Sequence, residues 1–289
     1  MKRKLIKQGG YGLTFYVPKK WVDAKQLHAG DEIEVTPIED TLLLSAASIK
    51  GQKKMLSLEI KKTRESGVRT LLVNAYRAGF DEIHVTYAGN KEEIEYIVST
   101  FLLGFEILKQ ENKIYTLKSI SEPSTENFEQ IFQRQFYIVE EIIKNMHDKK
   151  IKELIHKVQV YDHFLKRCIA RNISRQTKDF FLWQFLSHLT QIARLSYHCQ
   201  KQATLSKEMN PLRNTLEQMF ALLKTASLKK EYSLLTQLHT LDQEMLDKEK
   251  KLLKTKDAIA VHYLLMISRT IYLANSPLTG YLQLLQPSS

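Results

Sequence analysis

The stretch Phe128-Glu129-Gln130-Ile131-Phe132-Gln133-Arg134-Gln135-Phe136-Tyr137-Ile138-Val139-Glu140-Glu141-Ile142-Ile143-Lys144-Asn145-Met146 decides the fold class of the longest part of this chain. Its apolar residues Phe128, Ile131, Phe132, Phe136, Val139, Ile142, Ile143 and Met146 recur at spacings of three and four, which places them on one face of an α-helix. Comparable stripes run through 151–173, 177–205, 209–228, 230–254 and 256–275, so six helices are expected after residue 123. Breaks are expected at Asp148-Lys149, Ser174, Asn210-Pro211 and Ser227. Pro211 suits a first helical position, where its missing N–H would be unpaired anyway. Three long helices followed by three more point to a duplicated antiparallel arrangement, a pair of three-helix bundles.

Upstream the pattern changes. Residues 49–122 alternate between period-two and period-three-to-four segments. Strands are expected at Ser57–Lys62 and Glu82–Tyr87 and helices at Gly67–Ala78 and Lys91–Leu103. A hairpin is expected from Glu106–Lys109 and Ile114–Ile120, turning at Glu111-Asn112. Elements of this length and order suit a small α+β sandwich.

Residues 1–48 differ again, being short, β-branched and punctuated by Gly and Pro. Lys2-Arg3-Lys4-Leu5-Ile6-Lys7 and Leu13-Thr14-Phe15-Tyr16-Val17 read as two strands around Gly9-Gly10-Tyr11-Gly12. Pro18 opens a helix over about 18–26, Gly30-Asp31 turns into a third strand at Ile33–Val35, and Thr41–Ser45 is a fourth. Gly30-Asp31 is read as a structural turn, with Gly supplying φ > 0 and Asp bonding nearby backbone. So few residues in short strands cannot bury a sufficient core alone, and dimerisation would supply the missing cover. The expected organisation is therefore multidomain α+β: residues 1–48, a small α+β domain at 49–122, and an all-α domain at 123–289.

The 289 residues carry 43 Lys and Arg against 32 Asp and Glu, a formal net charge of +11. That excess favours an acidic partner such as nucleic acid or an anionic surface. Cys168 and Cys199 are the only cysteines and lack CxxC spacing, so neither a zinc site nor a disulfide framework is indicated. A reducing cytoplasm is the expected compartment. No signal peptide and no run of about 18 uncharged apolar residues is found, so neither secretion nor membrane insertion is expected. His156 and His163, seven apart, and His188 and His198, ten apart, do not form a metal motif. No P-loop, GxGxxG, GxSxG or paired carboxylate arrangement suggests catalysis, and no cofactor is indicated. Phe180-Phe181-Leu182-Trp183-Gln184-Phe185 reads as core filling.

The order of a basic first strand, a Gly-rich turn, a strand ending in Pro18-Lys19-Lys20-Trp21 and the turn Gly30-Asp31 resembles the swapped-hairpin domain of the AbrB, SpoVT and MazE proteins. The six-helix stretch resembles the PhoU domain. The segments Ala78-Gly79-Phe80-Asp81-Glu82-Ile83 and Leu103-Gly104-Phe105-Glu106-Ile107 look like the linker in archaeal proteins that fuse the two, a phosphate uptake regulator family. The resemblance implies an N-terminal half of a swapped-hairpin β-barrel, completed by a second chain, and a homodimeric, non-catalytic regulator of transcription tied to phosphate homeostasis. It implies that Lys2, Arg3, Lys4, Lys7, Lys19 and Lys20 lie near DNA phosphates. Lysines report backbone rather than base identity, so no target sequence follows. The same lysines also fit protection of an exposed sheet edge.

Many PhoU domains hold iron or zinc with carboxylates at i and i+4 on one helix and an Asp on the next. At the corresponding positions stand Asp162 and Lys166, Arg194, Gln243 and Asp247 with Asp242 and Glu244 beside Gln243, and Arg269. Cations there repel a metal ion, so no metal is expected. Asp162, Lys166, Arg194, Asp242, Asp247 and Arg269 form instead a candidate face for an effector or partner, such as phosphate, a nucleotide or an acidic protein. A competing reading pairs Arg194 and Arg269 with Asp162, Asp242 or Asp247. The alternative function is a PhoU-type adaptor that engages a phosphate transporter or kinase through its helices while the hairpins only dimerise.

Overall fold

A computed structural model describes residues 2–10, 12–38, 41–46, 53–61, 63–121, 125–148, 150–171, 177–252 and 257–286. The chain is mixed α+β and mostly helical. It divides into two compact units, residues 1–53 and 54–289. The expected boundaries at 48/49 and 122/123 and the expected breaks at Lys149 and Ser174 lie outside the described residues.

In the first unit, β1 (Ile6–Gln8) pairs antiparallel with β2 (Gly12–Thr14), and after helix α1 (Lys19–Ala24), β3 (Ile33–Ile38) pairs antiparallel with β4 (Thr41–Ala46). These are two separate two-stranded sheets, and among the described residues no closed barrel is formed. Pro18 caps α1 from outside rather than opening it. Its φ of −60° is helical but its ψ of 125° is extended, so the helix starts at Lys19. The turn before β3 is as expected: Gly30 has φ +99°, and Asp31 Oδ2 accepts from the His28 N–H at 2.7 Å.

The second unit begins with a four-stranded sheet of order β5 (Met55–Ile60), β6 (Glu82–Tyr87), β8 (Ile114–Ser119), β7 (Phe105–Glu111). β5 and β6 are parallel and are joined through helix α2 (Glu65–Arg77), as a parallel pair requires. Helix α3 (Lys91–Phe101) follows β6; its cap Asn90 accepts from the Glu92 N–H at 3.3 Å. The β7–β8 hairpin turns where Asn112 takes φ +54°, which Asn tolerates better than most residues. Residues of α2, α3 and the sheet share one core around Val68, Leu72, Ile83, Val85, Ile94 and Leu117. β5 begins two residues earlier than expected because Met55 pairs with Glu82.

Six α-helices follow: α4 (Thr125–Lys144), α5 (Ile151–Arg171), α6 (Thr177–Gln202), α7 (Asn210–Lys229), α8 (Gln237–Leu252) and α9 (Ala258–Gln283). They share one continuous core, in which Phe136, Phe185, Phe220 and Ile271 are buried. The most extensive helix pairing is α6 with α9, so the two sets of three join along their third helices. Gly280 allows this approach, because a Cβ there would sit 2.7 Å from the Phe181 ring. Two boundaries differ most from the sequence reading. α8 starts at Gln237 after Lys230 adopts a left-handed cap and Tyr232–Thr236 form a 3-10 turn. α9 continues past Pro277 to Gln283, since burial of Leu278 and Leu282 outweighs the hydrogen bond that proline forfeits. Among the described residues, no helix is long and apolar enough to cross a membrane.

Candidate functional site

The cations expected to meet DNA stand on the first unit. Residues 2–22 contain Lys2, Arg3, Lys4, Lys7, Lys19 and Lys20 and no Asp or Glu. All six are exposed, the first four on or just before β1 and the last two opening α1. The same segments expose apolar side chains. Leu5 and Leu13 are each 64% and Tyr16 75% exposed, with Val35 and Leu42 also open to solvent on β3 and β4. A hairpin unit of this size has almost no interior of its own: of its described apolar residues only Ala46 is fully buried.

The effector-face candidates of the second unit separate into two places. The first is where the α/β layer meets the helices, because α2 and α3 pack on α5. Asp162 is completely buried there. Its Oδ2 accepts from Arg77 Nη2 at 2.7 Å, and Lys166 Nζ lies 2.7 Å from Oδ1. Lys166 also donates to Ser187 Oγ on α6 at 2.8 Å. His163 Nδ1 stands 2.8 Å from Arg77 Nη2. Arginine has only donors, so Nδ1 accepts, the ring is neutral and its proton is on Nε2. Burial lowers the His163 pKa, in agreement with a neutral ring. Nδ1 is also 3.4 Å from Asp162 Oδ2, but while it accepts from Arg77 it cannot donate to the carboxylate.

The charges of this cluster are mutually adjusted. Burial lowers both Arg77 and Lys166, and Asp162 opposes that in each case. Burial pushes Asp162 up, but its polar neighbours His163, Lys166 and Arg77 hold it below the usual carboxylate range. The positive charge of Arg194 on α6 further lowers Arg77 and Lys166. Arg194 is not the partner of Asp162; it is exposed and lines an open cleft of about 470 Å³ between α2, α3, α5 and α6.

Further along α5, two more residues fasten the helix to the α/β layer. Arg167 is fully buried and donates to the Tyr76 and Phe80 carbonyls at 3.1 and 2.7 Å. Arg171 pairs with Asp81 and donates to the Gly79 carbonyl at 3.3 Å. Asp81 also accepts from the Lys54 N–H at 2.7 Å. Sequence reasoning did not single out Arg77, Arg167 or Arg171, and it set His163 aside as part of no metal motif. The available signal was the run Gly79-Phe80-Asp81, whose carbonyls and carboxylate are what Arg167 and Arg171 hold.

The second place is between α8 and α9. Arg269 Nη1 donates to Asp242 Oδ2 at 3.2 Å, and its guanidinium lies 4.9 Å from the Tyr272 ring centroid. Burial raises Asp242, against the pull of Arg269. Asp247 is on the exposed side of α8, five residues beyond Asp242. Thus Asp162, Lys166 and Arg194 are neighbours, Asp242 and Arg269 are paired, and Asp247 stands apart from both groups. Among the described residues, no group of three or more His, Cys, Asp or Glu side chains could hold a metal ion. No protein-family model, no curated protein and no solved structure matches the chain.

Proposed function

We propose that this protein is a cytoplasmic, dimeric, DNA-binding transcriptional regulator linked to phosphate uptake, in which the hairpin unit binds DNA and the helices sense phosphate status or a signalling partner. The observation that carries it is the coincidence on one small unit of six exposed cations in a stretch, residues 2–22, that contains no Asp or Glu, and of apolar residues that a single chain leaves uncovered. A second copy interleaving its hairpins would bury Leu5, Leu13 and Tyr16 and double the cations on one surface. Such a surface would be complementary in charge to a nucleic-acid backbone. The resemblance to AbrB-type hairpins supports the DNA reading, and the resemblance to PhoU-type helices supports the phosphate reading.

Gel-shift titration of the full chain across salt concentrations tests it. Affinity should fall steeply as salt rises, and Arg3→Ala with Lys4→Ala should flatten the dependence of log K on log salt by roughly 1 for each cation removed per chain. Sedimentation of the parent protein should report a dimer. A monomer, or a shift untouched by the two substitutions, overturns the proposal and leaves the adaptor reading, in which helices engage a transporter or kinase.

A further inference from the structure

The cleft that holds Arg194 has a composition the DNA reading does not explain. Arg69 from α2, Lys152 from α5 and Arg194 from α6 bring three cations to its wall, and none of the residues that line it is Asp or Glu. Behind the wall stand Arg77 and Lys166, whose ordinary charge Arg194 already opposes. The carboxylates set against these five cations are buried Asp162, already paired twice, and Glu65, 3.6 Å from Arg69. Positive charge is therefore in excess at a concave place, where partial burial strengthens the field beyond that of scattered surface lysines.

Much of the rest of the wall is aromatic. Tyr96 is half exposed; Phe101 is buried behind the wall and carries Arg69 at 5.1 Å from its ring centroid, and His156 meets the same ring edge-on at 5.1 Å. Burial lowers the His156 pKa, with Arg69 adding to the effect, so this ring presents a neutral stacking face. A volume of about 470 Å³ is within the range of small-molecule sites and well beyond the needs of a bare phosphate ion. Convergent cations and an accessible planar ring on one wall are the two features that recognise a nucleotide, through its phosphate and through its base.

We infer that the cleft between α2, α3, α5 and α6 is a nucleotide site, with Arg69, Lys152 and Arg194 on the phosphates and Tyr96 beside the base. The inference deepens the sensing half of the proposed function and rests on that reading, but it does not depend on DNA binding. Because α5 and α6 belong to the helices and α2 and α3 to the α/β layer, one ligand would touch both layers of the second unit.

Isothermal calorimetry on the full-length protein, with AMP, ATP and inorganic phosphate as probes, tests this. One saturable site per chain is expected for a nucleotide, with inorganic phosphate at least tenfold weaker. Arg194→Ala and Lys152→Ala should each weaken nucleotide binding by about tenfold to a hundredfold, the loss expected for a charge-assisted bond to phosphate. Both residues are exposed on helices, and an unchanged thermal melt identifies folded variants. Tyr96→Ala should weaken the nucleotides by about fivefold or more and leave inorganic phosphate unchanged. The inference is overturned by the absence of saturable heat for AMP and ATP, by heat that survives the Arg194→Ala, Lys152→Ala double substitution, or by inorganic phosphate binding as tightly as AMP. Gel shifts on the same preparation separate the two ideas. Missing nucleotide heat in protein that still shifts DNA sinks this inference alone, whereas nucleotide heat in protein that does not shift DNA sinks the DNA reading alone.

Discussion

The Arg167 guanidinium lies over the Tyr76 ring, 5.0 Å from its centroid, and the same group donates to the Tyr76 carbonyl at 3.1 Å. It is also 4.8 Å from the Phe105 ring centroid, so two aromatic faces and two carbonyls enclose one charged side chain with almost no solvent. Arginine suits this place because its charge is delocalised over a weakly hydrated plane that can stack and donate at once. Helix α5 thus buries two faces. Val158 and Leu165 join the helical core, while Asp162, His163, Lys166 and Arg167 are buried on polar grounds.

Arg167→Lys should therefore destabilise the second unit although charge is kept. Lysine loses the planar stack, and its side chain, one bond shorter, cannot carry its nitrogen to the Nη1 position that serves both carbonyls, leaving an acceptor unsatisfied at a cost of about 1 to 3 kcal/mol. Urea unfolding followed by circular dichroism measures this. An unchanged midpoint would show that the stack and the second bond contribute nothing.

Asp162→Asn should cost more. It removes the carboxylate that faces both Arg77 and Lys166 and leaves two desolvated cations side by side, a situation that typically costs about 3 to 5 kcal/mol. The same denaturation curve reads it out, with an unaltered slope indicating that the fold is retained. A loss below about 1 kcal/mol would mean that water already screens the cluster as it does a surface pair.

What the sequence disclosed follows from which signals are local. The β7–β8 hairpin and β6 were legible because alternation and the Asn112 turn are contained within a few residues. The six helices were legible from their apolar stripes, but the end of α9 was not, because Pro277 is a stop signal that only packing against α6 overrules. The polar face of α5 was illegible for a deeper reason. Asp162, Lys166 and Arg167 follow the spacing of an ordinary solvated stripe, and their partners Arg77, Tyr76 and Phe80 are more than 80 residues away in sequence. Arg194 could be chosen as a candidate from its position on α6. Its neighbours Arg69 and Lys152 could not, since only folding brings α2 and α5 beside it.

Gly79 ties one sequence motif to this junction. Its φ of +82° disfavours any residue with a Cβ, and a Cβ there would also lie 2.9 Å from Arg171 Cγ. Gly79→Ala should cost about 1 kcal/mol for the backbone alone, and more as Arg171 is displaced from Asp81. In an Arg171→Ala background the same substitution should cost only the backbone part, so the two changes should be non-additive. Full additivity in a double-mutant cycle would show that the side chain yields without loss.

The pH response should report the buried histidine. Burial lowers the His163 pKa in the folded chain from its ordinary 6.5, so the native ring is neutral where the unfolded ring begins to take up a proton. The unfolded state then binds more protons, and stability rises with pH across that window. The contribution is fully present above about pH 7 and is lost progressively as pH falls through 6.5 toward the lower folded value. His156 and His188 are shifted in the same direction by burial, so they add to the slope. His163→Asn, whose side-chain oxygen can still accept from Arg77, should leave the neutral-pH stability nearly intact and make the urea midpoint less dependent on pH between about 7 and 5.5. A midpoint that tracks pH as steeply in the variant as in the parent would mean that His163 takes up its proton alike in the folded and unfolded chains, and one that tracks pH more steeply would place the proton on His163 in the folded state and reverse the donor and acceptor roles assigned to the Arg77, His163 and Asp162 contact.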